Sequence, residues 1–130
     1  MRDYRITIRS TVDGDTSEVI TFGEVFKEYG ATTVSYMDEE LNSPTRIVFG
    51  GGIVNIIREG DYSSVLTFER GKTTTSALET EFGDIPVALE TTDVDCGEWD
   101  GGLKINLAYE TVLGGERSRF DVTVRAERIN

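Results

Sequence analysis

The chain contains no histidine and only one cysteine, and these two shortages exclude several chemistries at the outset. Without an imidazole it cannot build a Ser-His-Asp or Cys-His nucleophile, and histidine-based zinc chemistry is excluded with them. Cys96 has no second thiol for an intrachain disulfide, so we expect a cytoplasmic protein. No apolar run approaches the length that crosses a bilayer, and the N-terminal segment lacks the apolar core of a signal peptide.

Basic residues are also scarce. Thirteen lysines and arginines stand against 24 acidic residues, which gives a formal charge of −11. Nucleic acid and anionic lipid surfaces both require a clustered positive patch, whereas the arginines of this chain are spread singly along it. We therefore expect neither nucleic acid nor a membrane among its partners.

What the chain does have is alternation of apolar and polar residues in about ten short runs, separated by glycine and by Asp, Asn and Ser clusters. In the first run, Tyr4–Val12, the side chains of Tyr4, Ile6 and Ile8 share one face. Gly23, inside the second run, predicts a bulge or a sharp bend. Together the runs predict an all-β fold: a single antiparallel β-barrel of about 8–10 strands, with residues 1–130 as one domain. The later strands are predicted over residues 18–29, 31–38, 45–49, 53–58, 62–69, 73–80, 85–92, 103–109 and 120–126.

The run Ile53–Arg58 differs from the others because it is apolar on both faces. One face should line the core, and the other should meet a helix, a second sheet or another subunit, so a homodimer is one interpretation. Arg58 shares strand parity with Val54 and Ile56, so its guanidinium would point into the barrel if that face is the inner one. It could then anchor a ligand carboxylate or phosphate. The simpler interpretations are an internal ion pair or a strand-end arginine that reaches water.

Acidic residues are numerous enough that pairs suited to acid/base catalysis occur by chance. Each such pair lies beside a predicted turn, where solvated charge is the default. The pairs are Glu39 with Glu40, Glu79 with Glu81, and Asp93 with Asp95.

The acidic, glycine-containing segment 93–102 is predicted to be a hairpin loop. It does not fit a calcium loop, because its glycine comes one position early and Lys104 stands where the bidentate glutamate should be. No metal and no other cofactor is predicted. Trp99 is interpreted as a lid over a barrel mouth or as a half-buried surface anchor. Cys96 lies close to acidic residues that disfavour its thiolate, so we expect it to be inert.

From Ser35 onward the order of elements resembles the YwiB-like family, small bacterial proteins that have a calycin-like (lipocalin-like) β-barrel and no established function. The resemblance implies a barrel able to hold one small ligand, with Arg58, Tyr36, Thr91 and Tyr109 as polar groups that line or close a pocket. The residues that carry it are Ser35-Tyr36, Glu39-Glu40, Val54 to Arg58 with Gly60, Phe68 with Gly71, Phe82-Gly83, Thr91, and Gly102 to Tyr109.

Three hypotheses follow. The first is a non-enzymatic barrel that binds a small, partly apolar ligand, with Arg58 as its anchor and the loops around Trp99 as the rim; it requires an internal cavity with convergent polar groups. The second is a solid barrel that acts through protein contacts as a homodimer, which requires a filled interior and an exposed apolar patch. The third is a carboxylate-dependent enzyme.

Overall fold

The computed structural model describes residues 3–40, 42–61 and 63–129 of the chain. These residues form ten antiparallel strands joined by turns and short loops, which confirms the all-β prediction. They contain no helix of the length and apolarity that a membrane crossing requires. The strands are β1 (Tyr4–Val12), β2 (Asp15–Glu28), β3 (Ala31–Asp38), β4 (Ser43–Gly50), β5 (Ile53–Arg58), β6 (Ser64–Glu69), β7 (Thr73–Thr80), β8 (Gly83–Trp99), β9 (Gly102–Leu113) and β10 (Glu116–Arg128).

The strands form one sheet in the order β6-β5-β4-β3-β2-β1-β10-β9-β8-β7, so that β1 pairs with β10 and the meander curls into a nearly closed barrel. Between the described parts of β6 and β7 there is no backbone ladder. Side chains of β7 bridge this gap instead: the Thr74 hydroxyl donates to the Thr67 carbonyl oxygen at 2.6 Å, and the Ser76 hydroxyl donates to the Val65 carbonyl oxygen.

Because the strands run up and down, their connections alternate between two ends of the barrel. The terminal end carries Asp3, Ile129 and the connections at 29–30, 51–52, 70–72 and 100–101. The distal end carries the connections at 13–14, 39–42, 59–63, 81–82 and 114–115.

The interior is filled with apolar side chains toward the terminal end. Val54, Phe68 and Leu103 lie near its turns and are 0–2% exposed, and Ile6 and Ile105 are fully buried beside them. These residues all occupy the inward parity that the alternating pattern predicts. Burial of side chains of this size contributes about 1.5–3 kcal/mol each, so this half of the barrel forms the stable core.

The wall of the barrel is lower on one side of the distal end. β2 pairs with β1 over Asp15–Gly23 but with β3 only from Gly23 onward, so residues 15–22 of β2 have a single partner among the described strands. Gly23 marks this branch point, since a Cβ there would overlap the carbonyl oxygen of Ser35. The glycine is thus required by the close approach of β3, and the β1–β2 register runs without a bulge to Gly23.

Several strands are longer than predicted, because pairing with their neighbours extends them beyond the alternating runs, and β8 differs most. Residues 93–99 are not a loop: β8 continues to Trp99 through a bulge, at which Thr91 pairs with Tyr109 and Asp93 with Ala108. The polar composition suggested a loop because only one inward residue of this segment, Val94, needs to be apolar. Pairing with the strongly alternating β9 keeps the segment extended.

Candidate functional site

A cavity of about 290 Å³ occupies the distal half of the barrel interior and is partly open to the surface. Most of its lining is aliphatic or aromatic and comes from strands on all sides. The apolar lining residues are Ile8, Ile47, Ile56, Leu66, Leu78, Val87, Leu89, Phe120, Val122 and Val124. The polar ones are Ser10, Tyr36, Arg58, Tyr109 and Thr111. The interior is therefore filled at one end and hollow at the other.

Arg58 is the last residue of β5 and lies in the same row of the sheet as Gly23, where the pairing of β2 with β3 begins. In the sheet register Tyr36 pairs with Thr45, and Thr45 pairs with Arg58, so the three side chains form a row on the inner face. Arg58 is half-buried, and its Nε is buried without a hydrogen-bond partner. None of the ion pairs among the described residues includes Arg58. The internal ion pair that was one interpretation of Arg58 is therefore not among the described ion pairs.

Two tyrosine rings accompany the guanidinium in the cavity. Burial raises the pKa of Tyr36 to about 12, an effect opposed by the charge of Arg58 and reinforced by that of Asp38. Burial likewise raises the pKa of Tyr109 to about 12, again opposed by Arg58. Both phenols therefore stay protonated at neutral pH and keep a hydroxyl hydrogen to donate.

Tyr109 is held in place by neighbouring rings. Its ring lies 4.6 Å from that of Phe68 and 5.0 Å from that of Phe120, with which it is stacked. Contacts of this kind stabilise a buried aromatic beyond its area alone. The Tyr109 side chain is thus a rigid part of the cavity wall.

A second hollow, the outer groove, continues the cavity toward solvent with a volume of about 380 Å³. The two share Ile8, Ser10, Tyr36 and Arg58, so they meet at the guanidinium. The rest of the groove is lined by the edge of β2 and by the chain that leaves β3. These residues are Ser17, Val19, Ile20, Thr21, Met37, Asp38, Glu39 and Glu40.

The structure brings together three of the five predicted site residues, Arg58, Tyr36 and Tyr109. Thr91 pairs with Tyr109 in the sheet and is 3% exposed, but it does not line the cavity. Its Oγ1 is buried and has no hydrogen-bond partner. Thr91 therefore lies on the inner face next to Tyr109, in the filled part of the barrel rather than in the cavity.

Trp99 lies at the terminal end, away from Arg58, so the predicted rim around it is not the rim of this cavity. The reason is the length of β8, which carries Trp99 across the barrel to the turn at 100–101. There the indole is 47% exposed and stacks beneath the guanidinium of Arg125, 5.7 Å from the ring centroid. It borders a separate groove of about 220 Å³ with Lys27 and Glu98. Of the two interpretations of Trp99, this position agrees with the half-buried surface anchor.

The remaining candidates lie elsewhere. Cys96 is exposed, and partial burial of its thiol together with the charges of Asp95 and Glu98 raises the pKa of the thiol. Asp93 is held by Arg70 at 2.7 Å on the outer surface. Among the described residues, no three His, Cys, Asp or Glu side chains lie close enough together to hold a metal ion.

Sequence reasoning missed Ser10 and Thr111, which line the cavity near the distal end. A signal was present, because both occupy the inward parity of strands whose other inward residues are apolar. A polar residue at an inward position near the distal end of a strand is what the mouth of a partly hydrated cavity requires. Glu39 and Glu40 are exposed, as the interpretation of solvated surface charges expects, and the sequence does not indicate that they line one side of a groove.

These features define a class: a calycin-like β-barrel with a ligand-sized hollow that opens at one end. The sequence of residues 4–122 matches the family described as domain of unknown function DUF1934, and the chain belongs to that family. No curated protein sequence matches the chain.

The fold is similar to that in the crystal structure of the YwiB protein from Bacillus subtilis. The TM-score is 0.88 at 20% sequence identity, over 98% of this chain and 92% of that one. The resemblance to the YwiB-like family is thereby confirmed, and with it the barrel fold.

Proposed function

We propose that the protein is a cytoplasmic, non-enzymatic barrel that binds a small, partly apolar ligand in the distal cavity, with an anionic group of the ligand on Arg58. The observation that carries the proposal is the position of Arg58, which is the one cationic side chain among the described residues that line the cavity and takes part in none of the described ion pairs. Its Nε is buried without a hydrogen-bond partner, and an unpaired buried donor costs about 1–3 kcal/mol. A carboxylate or phosphate oxygen placed on the guanidinium from the cavity would gain a charge-assisted hydrogen bond.

The surroundings of Arg58 support an anionic ligand group. The hydroxyls of Tyr36 and Tyr109 keep their hydrogens at neutral pH and line the same cavity, so they offer two further donors. The apolar lining then accepts the body of the ligand. At roughly 30 Å³ per non-hydrogen atom, 290 Å³ holds about ten such atoms, which is the size of a medium-chain carboxylate.

Calorimetric titration with octanoate tests the proposal, with 1-octanol as the uncharged ligand of the same length. We expect octanoate to bind better than octanol, and Arg58→Met to weaken octanoate by roughly ten- to a hundredfold, since hydrogen bonds to charged groups contribute about 1.5–3 kcal/mol. Methionine keeps the apolar stem and removes the charge.

The matched control is Arg46→Met, which removes an arginine from the outer face of the adjacent strand, where it pairs with Glu59 at 3.1 Å. This variant should bind octanoate like the parent protein. Equal octanoate affinity in a folded Arg58→Met variant would refute the assignment of Arg58. Native mass spectrometry of protein purified gently from its host would then show whether another ligand is carried.

A function through protein contacts has support from the edge of β2, which also lines the outer groove. The unpaired edge of β2 carries Val19, Ile20 and Phe22, which are 50%, 58% and 44% exposed. Edges of this kind are sites of strand addition. The outer face of β5 is less exposed than the sequence suggested, with Ile53 at 36% and Ile57 half-buried. Sedimentation of the parent protein and of Ile20→Lys tests this alternative, which predicts a dimer that the substitution dissociates.

A further inference from the structure

Three chemical zones follow one another along the path from the barrel core to solvent. The inner cavity is apolar, with Leu66, Leu78 and Leu89 in its lining. Arg58 stands where the cavity meets the outer groove, because it lines both. Beyond it, the groove has carboxylates on the side that leaves β3.

The charges along this path have a fixed order. Of the described residues that line the cavity and the groove, Arg58 is the only cationic one. Asp38, Glu39 and Glu40 form the acidic side of the groove, and the β2 residues opposite them, among them Ser17 and Thr21, are uncharged. A ligand that extends outward from Arg58 therefore passes from a positive to a negative surface within one hollow.

We propose that the ligand is a single-chain zwitterion in which the anionic group lies next to the apolar chain and an ammonium group lies beyond it, as in an alkyl phosphodiester of choline or ethanolamine. This rests on the proposed function, because it uses the same cavity and the same anchor. The chain fills the hollow, the phosphate accepts hydrogen bonds from Arg58, and the ammonium lies against Glu39 and Glu40.

The two alternatives to this order are both disfavoured by the charges. A ligand with the opposite order, chain then ammonium then anion, would place its cation on Arg58 and its anion on the acidic side of the groove. A ligand with two or more negative charges would satisfy Arg58 and then face like charges at the groove. The length of the chain is limited too, since about ten methylene-sized groups of roughly 30 Å³ fill 290 Å³.

Two commercial zwitterions test the order of charges at constant chain length and constant net charge. Octylphosphocholine has the anion inside, and octyl sulfobetaine has the ammonium inside. We expect calorimetry below the micellar concentration to give at least tenfold tighter binding of octylphosphocholine. Octyl phosphate, which lacks the ammonium, should bind more weakly than octylphosphocholine, and 0.5 M salt should reduce the difference because the groove is open to solvent.

The acidic side of the groove is tested by Glu39→Gln combined with Glu40→Gln. We expect this variant to lose most of the preference for octylphosphocholine over octyl phosphate. The control is Glu28→Gln combined with Asp95→Asn, which changes the net charge by the same amount at exposed positions that line neither hollow. The control should keep the preference of the parent protein.

The outcomes separate the two proposals. If octanoate and octyl phosphate bind through Arg58 but the two zwitterions bind equally, or the glutamine pair changes nothing, the order of charges is refuted and the anion-binding cavity stands. If none of the alkyl compounds binds, the proposed function fails and the charge order fails with it.

Discussion

Thr91→Val should stabilise the protein, although Thr91 is one of the most buried residues in the barrel. Its side chain is 3% exposed, and its Oγ1 is buried without a hydrogen-bond partner in the described structure. Valine has the same branched shape and replaces only the hydroxyl by a methyl group. Because an unsatisfied buried polar group costs about 1–3 kcal/mol, we expect a gain of about 1 kcal/mol in the free energy of unfolding. For a domain of this size that corresponds to a rise of about 4 °C in Tm.

The matched comparison is Thr45→Val. Thr45 is 1% exposed, but its hydroxyl donates to the carbonyl oxygen of Ser43 at 3.2 Å. The same substitution should here lower the free energy of unfolding by about 1 kcal/mol, because it deletes a buried hydrogen bond and leaves the carbonyl without that donor. Urea denaturation of the two variants should therefore differ by about 2 kcal/mol, with opposite signs relative to the parent protein.

The result that would refute this reasoning is a loss of stability in Thr91→Val comparable to that in Thr45→Val. It would mean that the Thr91 hydroxyl has a partner, such as a buried water molecule. The same variant also tests the resemblance-based role of Thr91 in ligand binding. Since Thr91 does not line the cavity, octanoate affinity should be unchanged by the substitution.

Three further predictions concern single groups. In a urea titration, Gly23→Ala should lower the free energy of unfolding by about 2 kcal/mol or more, because the added Cβ overlaps a backbone carbonyl oxygen. The control Gly97→Ala has open space around the added Cβ and should be nearly neutral. The chain has five tyrosines, so the ionisation of Tyr36 and Tyr109 is read from the absorbance at 295 nm that Tyr36→Phe and Tyr109→Phe lose relative to the parent protein. We expect this difference to appear near pH 12, and a difference that appears near pH 10 would contradict their burial. The raised pKa values add stability that is complete below pH 10 and lost between pH 10 and 12. Cys96 should react with iodoacetamide more slowly than free cysteine at pH 8, because its raised pKa reduces the thiolate fraction, and a faster reaction would contradict this.

Local alternation was enough to predict most of the barrel. The bounds of β1, β3, β5 and β7 agree with those predicted, because each is a short run between clear turn residues. The inward parity of Arg58 could be predicted in the same way, since it depends only on the neighbours Val54 and Ile56.

The cavity could not be predicted, because its lining comes from strands all around the barrel and depends on how their side chains pack across the interior. The outer groove lies where β3 stops short of residues 15–22 of β2 and leaves the wall low, and no local pattern specifies which residues of β2 lack a partner. The position of Trp99 depended on the same kind of information. Only the long pairing of β8 with β9 shows that the segment stays extended and carries the indole to the terminal end.

The gap in the sheet and the two ends of the described chain lie at different places in the barrel. Ile129 donates its backbone N–H to the carbonyl oxygen of Asp3 at 3.0 Å, next to the β1–β10 ladder, whereas the gap lies between β6 and β7. A circular permutant that joins the segments at Asp3 and Ile129 and begins after the 70–72 turn would list its strands in the same order as they lie in the sheet. Every ladder would then connect sequence neighbours, and closure of the β1–β10 pair, the most distant contact in the native chain, would become a local hairpin. We expect the permutant to fold faster than the parent protein, because none of its ladders pairs strands that are distant in sequence.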